Sequence, residues 1–247
     1  MAIIIVSTEE SDIKTLTKLS DICFRSAHSV LFDGPLRTET LDALAEQCFG
    51  PYFKKNENNE SQITPPKRWV ALKAIDDETG EIVGESRWVI HYENEALTKT
   101  VEERVEELHT PPLPQTRVEV NRAWVRMVAE AKRQALKFQE AGSSRIDIRE
   151  SDPNKITALH KRVYLQALLV HPEHQRKGIG RKLLQWGLDE ADKLGLITSL
   201  ESTPEGRRLY EKAGFEVVKE LSLDLTPYGQ TGKLPLAIMV RQPNPKN

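Results

Sequence analysis

Residues 168–182 read Leu168-Leu-Val-His-Pro-Glu-His-Gln-Arg-Lys-Gly-Ile-Gly-Arg-Lys182. The apolar end of a strand runs into a turn, and the turn opens into a helix through two glycines. The first N–H groups of a helix have no partner inside it and carry a partial positive charge, so they suit an anion lying in the turn. Gly178 and Gly180 present no side chain, which lets such an anion come close to the backbone. Gln175, Arg176, Lys177, Arg181 and Lys182 add donors and positive charge around Ile179. Together these features describe a polyphosphate cradle. Without a ligand, the same residues would be a solvated basic helix start.

Two common phosphate motifs do not fit. A dinucleotide fingerprint needs a third glycine where Leu183 stands, and no GxxxxGK[ST] string occurs. On either side of the turn, a strand is expected over Val163–Val170 and a helix over Arg181–Leu194. Leu183, Leu184, Leu188, Ala191 and Leu194 face inward on that helix, and Gly195 closes it. A strand at Leu196–Leu200, a short helix at Gly206–Ala213 closed by Gly214, and strands at Phe215–Leu225 and Leu236–Arg241 follow. Gln242–Asn247 is expected to fray.

Toward the N-terminus, Ala2–Ser7 is β-branched and reads as a strand. Ile13, Leu16, Leu19 and Cys23 form the apolar face of a first helix, with Thr8 or Ser11 as its cap, and Thr38–Cys48 reads as a second. The polar stretch Lys54–Lys67 reads as an exposed, mobile loop. Trp69–Asp76 and Glu81–Tyr92 make a hairpin around the turn residues of Asp76–Gly80. Residues 94–149 break the α/β alternation. One helix is marked by Leu97, Val101, Val105 and Leu108 and stopped at Pro111–Pro114. Another runs from Asn121 to Glu140, ended by Gly142, with Trp124, Met127, Val128, Ala131, Ala135 and Phe138 as its stripe. This segment reads as a helical insertion, and Trp124 and Met127 read as core.

The composition sets outer limits. In 247 residues, 38% hydrophobic and 29% charged, Lys+Arg number 35 against 37 Asp+Glu, a formal charge of −2. This is a globular composition without a global electrostatic case for nucleic acid or an anionic membrane. No apolar run approaches a membrane span, and Met1–Val6 is too short and lacks the basic flank for a signal peptide. The two cysteines, Cys23 and Cys48, make no disulfide framework and read as small apolar residues in a reducing compartment, the cytoplasm or the nucleus. No metal-ligand spacing is present, so no metal is expected.

Gln-Arg-Lys-Gly-Ile-Gly180 resembles the Q/RxxGxG/A pyrophosphate motif of the GCN5-related N-acetyltransferases, the GNAT superfamily. Leu165–Val170 is similar to that family's fourth strand. Glu201-Ser-Thr-Pro-Glu-Gly206 with Arg207-Arg-Leu-Tyr-Glu-Lys-Ala-Gly-Phe215 is similar to the segment after its fifth. The resemblance is close over Val163–Val218 and weak before it. It implies one GNAT-like domain over residues 1–247: a mixed, largely antiparallel sheet whose fourth and fifth strands splay apart, the acyl-CoA N-acyltransferase fold, with a helical insertion at about 94–149.

The resemblance also implies a chemistry. Acetyl-CoA would lie in the gap between the splayed strands, its pantetheine paired with main chain at Leu168, Leu169 and Val170. Its pyrophosphate would sit on the amides of Lys177–Gly180, and an N–H near Leu169 would polarise the thioester carbonyl. Tyr210 would act as acid toward the departing sulfur. The acceptor is a small-molecule or peptide amine that attacks directly. A CoA-binding regulatory module without turnover, a protein lysine acetyltransferase, O-acetylation and a longer acyl donor stay open, as does the oligomeric state. Glu85, His91 and Glu201 are candidates for the base, and none is assigned. Alternation places Glu85, Arg87, Val89 and His91 on one face of their strand. His171 and His174 flank the turn in positioning or solvent-exposed roles.

Overall fold

Runs of β-branched and aliphatic residues lay down seven strands of one sheet. The computed structural model describes residues 2–57, 66–138 and 152–244, with backbone alone over 54–57. The strands are β1 (Ile3–Ser7), β2 (Lys67–Asp76), β3 (Ile82–His91), β4 (Arg162–Val170), β5 (Ile197–Ser202), β6 (Glu216–Asp224) and β7 (Lys233–Arg241). Their order is β1-β2-β3-β4-β5-β7-β6, and every pair is antiparallel except β4 with β5. The mixed, largely antiparallel sheet expected from the sequence is the one observed.

Side-chain alternation divides the sheet into two faces. On one lies α6 (Ile179–Leu194), whose Leu184, Leu188 and Ala191 pack with Trp88, Ile90, Val163, Leu165 and Leu200. Its first turn adds Ile179 and Leu183 to Leu72, Ala74 and Val83. Gly187 has a packing reason: a Cβ there would fall 2.3 Å from two ring carbons of Trp88. The indole therefore lies on the bare helix backbone, fully buried, with its N–H donated to Ser86 Oγ at 3.1 Å.

The opposite face is covered in two parts. Leu16 and Leu19 of α1 (Ile13–Cys23) cluster with Phe49 of α3 (Thr38–Glu57), over β2–β4. The second half of α5 (Val118–Leu136) puts Ala131, Ala135 and Leu136 against Ile238 and Val240 of β7. A short α2 (Arg25–Leu31) and α4 (Val101–Leu108) complete this side. The turn before α5 is stapled to the α2–α3 loop by Gln115, whose Nε2 donates to Asp33 O at 2.8 Å and Pro35 O at 3.0 Å.

Several expectations need correction. Neither Thr8 nor Ser11 caps the first helix: a 3-10 turn at Glu10–Asp12 precedes it, closed by Glu9 N donating to Asp12 Oδ2 at 2.8 Å. The second helix does not stop at Cys48. It passes Gly50 and Pro51, with Phe49 and Tyr52 buried on either side of them. Helix α2 was not anticipated. Leu97 lies outside α4, whose start is set at Thr100 by a capping box with Glu103. Helix α5 begins before Asn121 and ends at Leu136, so Phe138 is past the helix and exposed, edge-on to His160 at 5.3 Å. Trp124 and Met127 are half-buried and belong to none of the buried clusters, so they are not core. Cys23 and Cys48 are half-buried rather than fully enclosed. The expected loop end at 58–65, Gly142 and the last residues of the tail lie outside the described residues.

Candidate functional site

The pairing of β4 with β5 lasts four residues, from Arg162↔Ile197 to Leu165↔Leu200. Strand β4 continues to Val170 and β5 to Ser202 without meeting, which leaves a wedge-shaped gap between them. At the point of parting β4 carries a bulge. Arg87 of β3 pairs with Ala167 and Trp88 with Leu165, so Gln166 has no partner on β3. A bulge bends and re-aims its strand, and here it turns β4 where β5 leaves it.

Backbone direction along the open edge follows from one bond. His171 N donates to Val83 O at 2.9 Å, toward β3. Alternation then turns the N–H and C=O of Leu169 toward β3, and those of Leu168 and Val170 toward the gap. Val170 O accepts from Gln175 Nε2 at 3.2 Å and Cys23 Sγ at 3.5 Å. Burial pushes the Cys23 thiol up to about 11, which makes it a weak nucleophile.

After β4 the chain turns through Pro172–His174, and two left-handed residues, Arg176 (φ 62°) and Gly178 (φ 81°), steer it into α6. No side chain caps α6 and no acidic residue occupies its first turn. Lys182 N closes onto Gly178 O at 3.1 Å, so the amides of Ile179, Gly180 and Arg181 precede the helical ladder. Around this uncapped end the side chains of Arg176, Lys177 and Arg181 are exposed. Two predicted donors are engaged otherwise: Gln175 holds Val170 O, and Lys182 Nζ reaches Ile3 O of β1 at 3.5 Å, away from the gap. The side chain of Ile179 is core, which leaves its amide as its only contribution.

Three elements converge at Gly180. A Cβ there would meet Leu209 Cδ2 at 3.3 Å, Leu168 Cδ2 at 3.5 Å and Val170 Cγ2 at 3.7 Å. Leu209 belongs to α7 (Pro204–Lys212), which therefore adjoins both the helix start and the open end of β4. The next residue, Tyr210, sits in the α6-side core, edge-on to Phe215 at 5.8 Å between ring centroids. Gly206 makes room for its ring, since a Cβ there would fall 2.9 Å from Tyr210 Cε2. Its hydroxyl makes no hydrogen bond among the described residues, and burial raises its pKa above the ordinary phenol value.

On the other face of the gap lies a set of charged residues. Tyr164 donates to Glu201 Oε2 at 2.6 Å, and Lys132 of α5 reaches Glu201 Oε1 at 3.1 Å. The Lys132 ammonium also lies 3.6 Å from the centroid of the Tyr164 ring. Burial lowers the Lys132 pKa against the opposing pull of Glu201, and burial together with Glu201 raises that of Tyr164. Arg162 bonds Glu95 and His160 O. Burial would raise the Glu95 pKa, yet Arg162 and His91 beside it hold it down to about 2. Nearer α3, Tyr52 donates to the bulged Gln166 at 2.5 Å.

The three candidate bases are thus separated. Glu85 and Arg87 do share the face away from α6 with His91, as alternation requires. Glu85 is 1% exposed, beside Arg87 at 3.6 Å, and burial raises its pKa. His91 is driven down to about 3 by burial and by Arg162. It pairs in register with Arg162 at the start of β4, remote from the bulge. Glu201 alone of the three stands at the parting of β4 and β5. Sequence reading did not single out Lys132 or Tyr164. The one available signal was Lys132 itself, a cation one and two turns from Val128 and Trp124 on a stripe otherwise apolar.

Comparison with known proteins agrees with this geometry. Residues 127–217 match the family model described as the acetyltransferase (GNAT) domain. The probable acyltransferase SID5 of Ajellomyces capsulatus is 34% identical over 67 residues, 26% of this chain and 49% of that protein. The L-amino acid N-acyltransferase MnaT of Escherichia coli (strain K12) is 35% identical over 68 residues, 26% of this chain and 40% of that protein. The chain thus spans half or less of the length of these curated relatives. In fold it is similar to arylalkylamine N-acetyltransferase 2 from Aedes aegypti, with a TM-score of 0.62 and 16% identity over 99% of this chain and 100% of that one. The family model over residues 127–217, the likeness in fold and the parted strands agree: the chain has the acyl-CoA N-acyltransferase fold and, over those residues, is similar to the GNAT acetyltransferases.

Proposed function

We propose that this protein transfers an acetyl group from acetyl-CoA to an amine, by direct attack within a complex of all three. The observation that carries the reading is the continuity of the gap. It runs from the uncapped start of α6, past Gly180, along the main chain of Leu168 and the N–H of Val170, to the bulge at Gln166. The residues fit the donor chemically. Free amides at Ile179, Gly180 and Arg181, with Arg176, Lys177 and Arg181 around them, suit the diphosphate. The main chain of Leu168 and the N–H of Val170 suit the pantetheine amides, which take the place of a strand neighbour.

The chain's own groups then divide the work. An N–H facing the gap from Leu168 or Val170 stabilises negative charge gathering on the thioester oxygen. Tyr210 hands its proton to the departing sulfur, a role that suits a phenol kept neutral by burial. The acceptor is a small-molecule or peptide amine entering from the face of α1, α3 and α5. We read the chain as one domain that works in the cytosol or nucleus. Among the described residues, no helix is long and apolar enough to cross a membrane.

The test is a free-thiol assay with acetyl-CoA and a panel of amines. Release above the blank, reduced about 10²-fold or more in Tyr210→Phe as for a lost acid group, is the expected result. Tight CoA binding with no release on any amine would instead mark a non-catalytic CoA-binding module.

A further inference from the structure

We infer that Gln166 selects the acceptor: held by Tyr52 of α3, its side-chain NH2 group donates to a carbonyl oxygen beside the reacting amine, so the substrate class is an α-amino carbonyl compound. The inference rests on the acetyl-transfer reading and deepens it by naming the acceptor class. The bulge in β4 puts this side chain where an acceptor must lie. Val163 and Leu165 pack on the α6 side, and so do Leu168 and Val170. The alternation slips by one between the two pairs, so Gln166 and Ala167 both turn to the face of α1, α3 and α5. Gln166 is also the first residue of β4 after its last pair with β5, Leu165↔Leu200. It therefore has no strand partner on either side, and it is exposed at the mouth of the gap.

Tyr52 fixes which end of the amide is presented. It is 3% exposed, with its ring edge-on to Trp69 of β2 at 5.1 Å between centroids. Its hydroxyl donates to Gln166 Oε1 at 2.5 Å. Burial raises the Tyr52 pKa, so the phenol keeps its proton and remains a donor. A carboxamide has one accepting branch and one donating branch, and the two diverge. Tyr52 reaches Gln166 from the side of β2 and takes the accepting branch. The donating branch is left facing away from α3, toward β5 and the gap, and makes no hydrogen bond among the described residues.

A loose glutamine could offer either end of its amide, whereas this one offers N–H alone, and the cost of ordering it is met before the acceptor binds. Its complement is an oxygen on the substrate. The Lys132–Glu201 pair on the same face carries no net charge, so a neutral carbonyl fits this donor as well as a carboxylate does. An amine without such an oxygen strips the N–H of water and returns nothing, which is how a fixed polar group rejects a substrate. Gln166 touches the acceptor in this arrangement, and Tyr52 is a positioning residue.

The experiment compares phenylalanine amide, phenylalanine and phenylethylamine, which share one ring and carry a carboxamide, a carboxylate and neither. Thiol release gives kcat and KM for each in the wild type, Gln166→Leu, Gln166→Glu and Tyr52→Phe. A carbonyl also lowers the basicity of the amine beside it, but this acts in every form alike and cancels when a variant's preference is divided by that of the wild type. Gln166→Leu should lower the preference for phenylalanine amide over phenylethylamine about 10-fold, the worth of one neutral hydrogen bond, mainly through KM. Gln166→Glu keeps an oxygen for Tyr52 but replaces the N–H with a second oxygen, so the preference should fall further, and most for phenylalanine. Tyr52→Phe should act in the same direction with smaller size. Gln166 is exposed, so its variants should fold, which CoA binding checks. Higher wild-type activity on the amide assigns the carbonyl to a peptide or amide, and higher activity on phenylalanine assigns it to a free amino acid; both support the inference. An unchanged preference in Gln166→Leu and Gln166→Glu overturns it, and so does transfer to phenylethylamine with none to either carbonyl-bearing amine. CoA binding with release from no amine at all instead fails the transfer reading, and this inference falls with it.

Discussion

Gly180→Ala separates a glycine needed for folding from one needed for a ligand. Gly180 lies in the first turn of α6 without a left-handed backbone, so alanine gains up to about 1 kcal/mol of helix preference. Against this stands one tight contact, Leu209 Cδ2 at 3.3 Å from the new methyl, with Leu168 and Val170 at ordinary distances. The tip of a leucine yields by a few tenths of an ångström, so the two effects nearly cancel. Stability should change by less than about 1 kcal/mol, which is a shift in Tm of under about 4 °C for a chain of this size. Affinity for CoA should behave differently. The methyl points into the space between Leu168, Val170 and Leu209, where the donor must pass the helix start. Losing one charge-assisted bond to the diphosphate costs roughly 1.5–3 kcal/mol, or about 10- to 100-fold in Kd. Gly178→Ala should show the reverse balance: open space around the Cβ, but a φ of 81° that costs L-residues about 1–2 kcal/mol. Calorimetric Tm and CoA titration on both variants read the two quantities separately. Full CoA affinity in Gly180→Ala would refute the placement of the diphosphate at this helix start.

Gly187→Ala should destabilise the protein although it sits mid-helix, because its methyl would lie 2.3–2.5 Å from three ring carbons of Trp88. Overpacking of about 1–3 kcal/mol outweighs the helix gain of up to about 1 kcal/mol, so denaturant unfolding should begin earlier, and an unchanged midpoint would contradict the packing described. Acid should weaken the fold in a defined window. Glu95 is held at about 2 against an ordinary 4.5, so its contribution is complete above 4.5 and is lost as pH falls through 2. His91, lowered from 6.5 to about 3, stabilises the fold above 6.5 and withdraws that support as pH falls toward 3. Each is worth on the order of 3–5 kcal/mol, with strong coupling between them, so Tm should decline steadily below pH 6.5. A Tm independent of pH down to 3 would rule out this charge arrangement.

The glycine turn was legible because it is local. A strand, two glycines and a basic helix start are consecutive, and nothing distant is needed to recognise them. The strands were legible for the same reason, with ends shifted by a few residues. What escaped depends on contacts across the chain. The continuation of α3 past Gly50-Pro51 reflects burial of Phe49 and Tyr52, which outweighs the local cost of proline. The first helix takes its start from a Glu9–Asp12 turn rather than a hydroxyl cap, because Asp12 is also fixed by Lys73 Nζ at 2.6 Å from β2. The stripe on α5 read as uniformly core, yet only its second half reaches the sheet, so Trp124 and Met127 stay half-buried. Tyr210 could be named from its neighbours in sequence. Glu201 could be named but not ranked, because its two partners lie 37 and 69 residues away.

The helical insertion takes part in the site for an electrostatic reason. Glu201 and Lys132 form an ion pair at the mouth of the gap, and Glu95 and Arg162 form another on the same face at the start of β4. Arg162 is 1% exposed, so an imbalance in this set is costly: removing one partner of a buried pair typically costs 3–5 kcal/mol. Two of the four charges, Glu95 and Lys132, come from the segment between β3 and β4, and the other two come from the parted strands. Trimming that segment would leave Arg162 and Glu201 each without their ionic partner. The strands supply a gap and the uncapped start of α6 adjoins it, but an oriented carboxylate at the mouth of the gap requires α5. The helices between β3 and β4 are in this way electrically part of the sheet they cover.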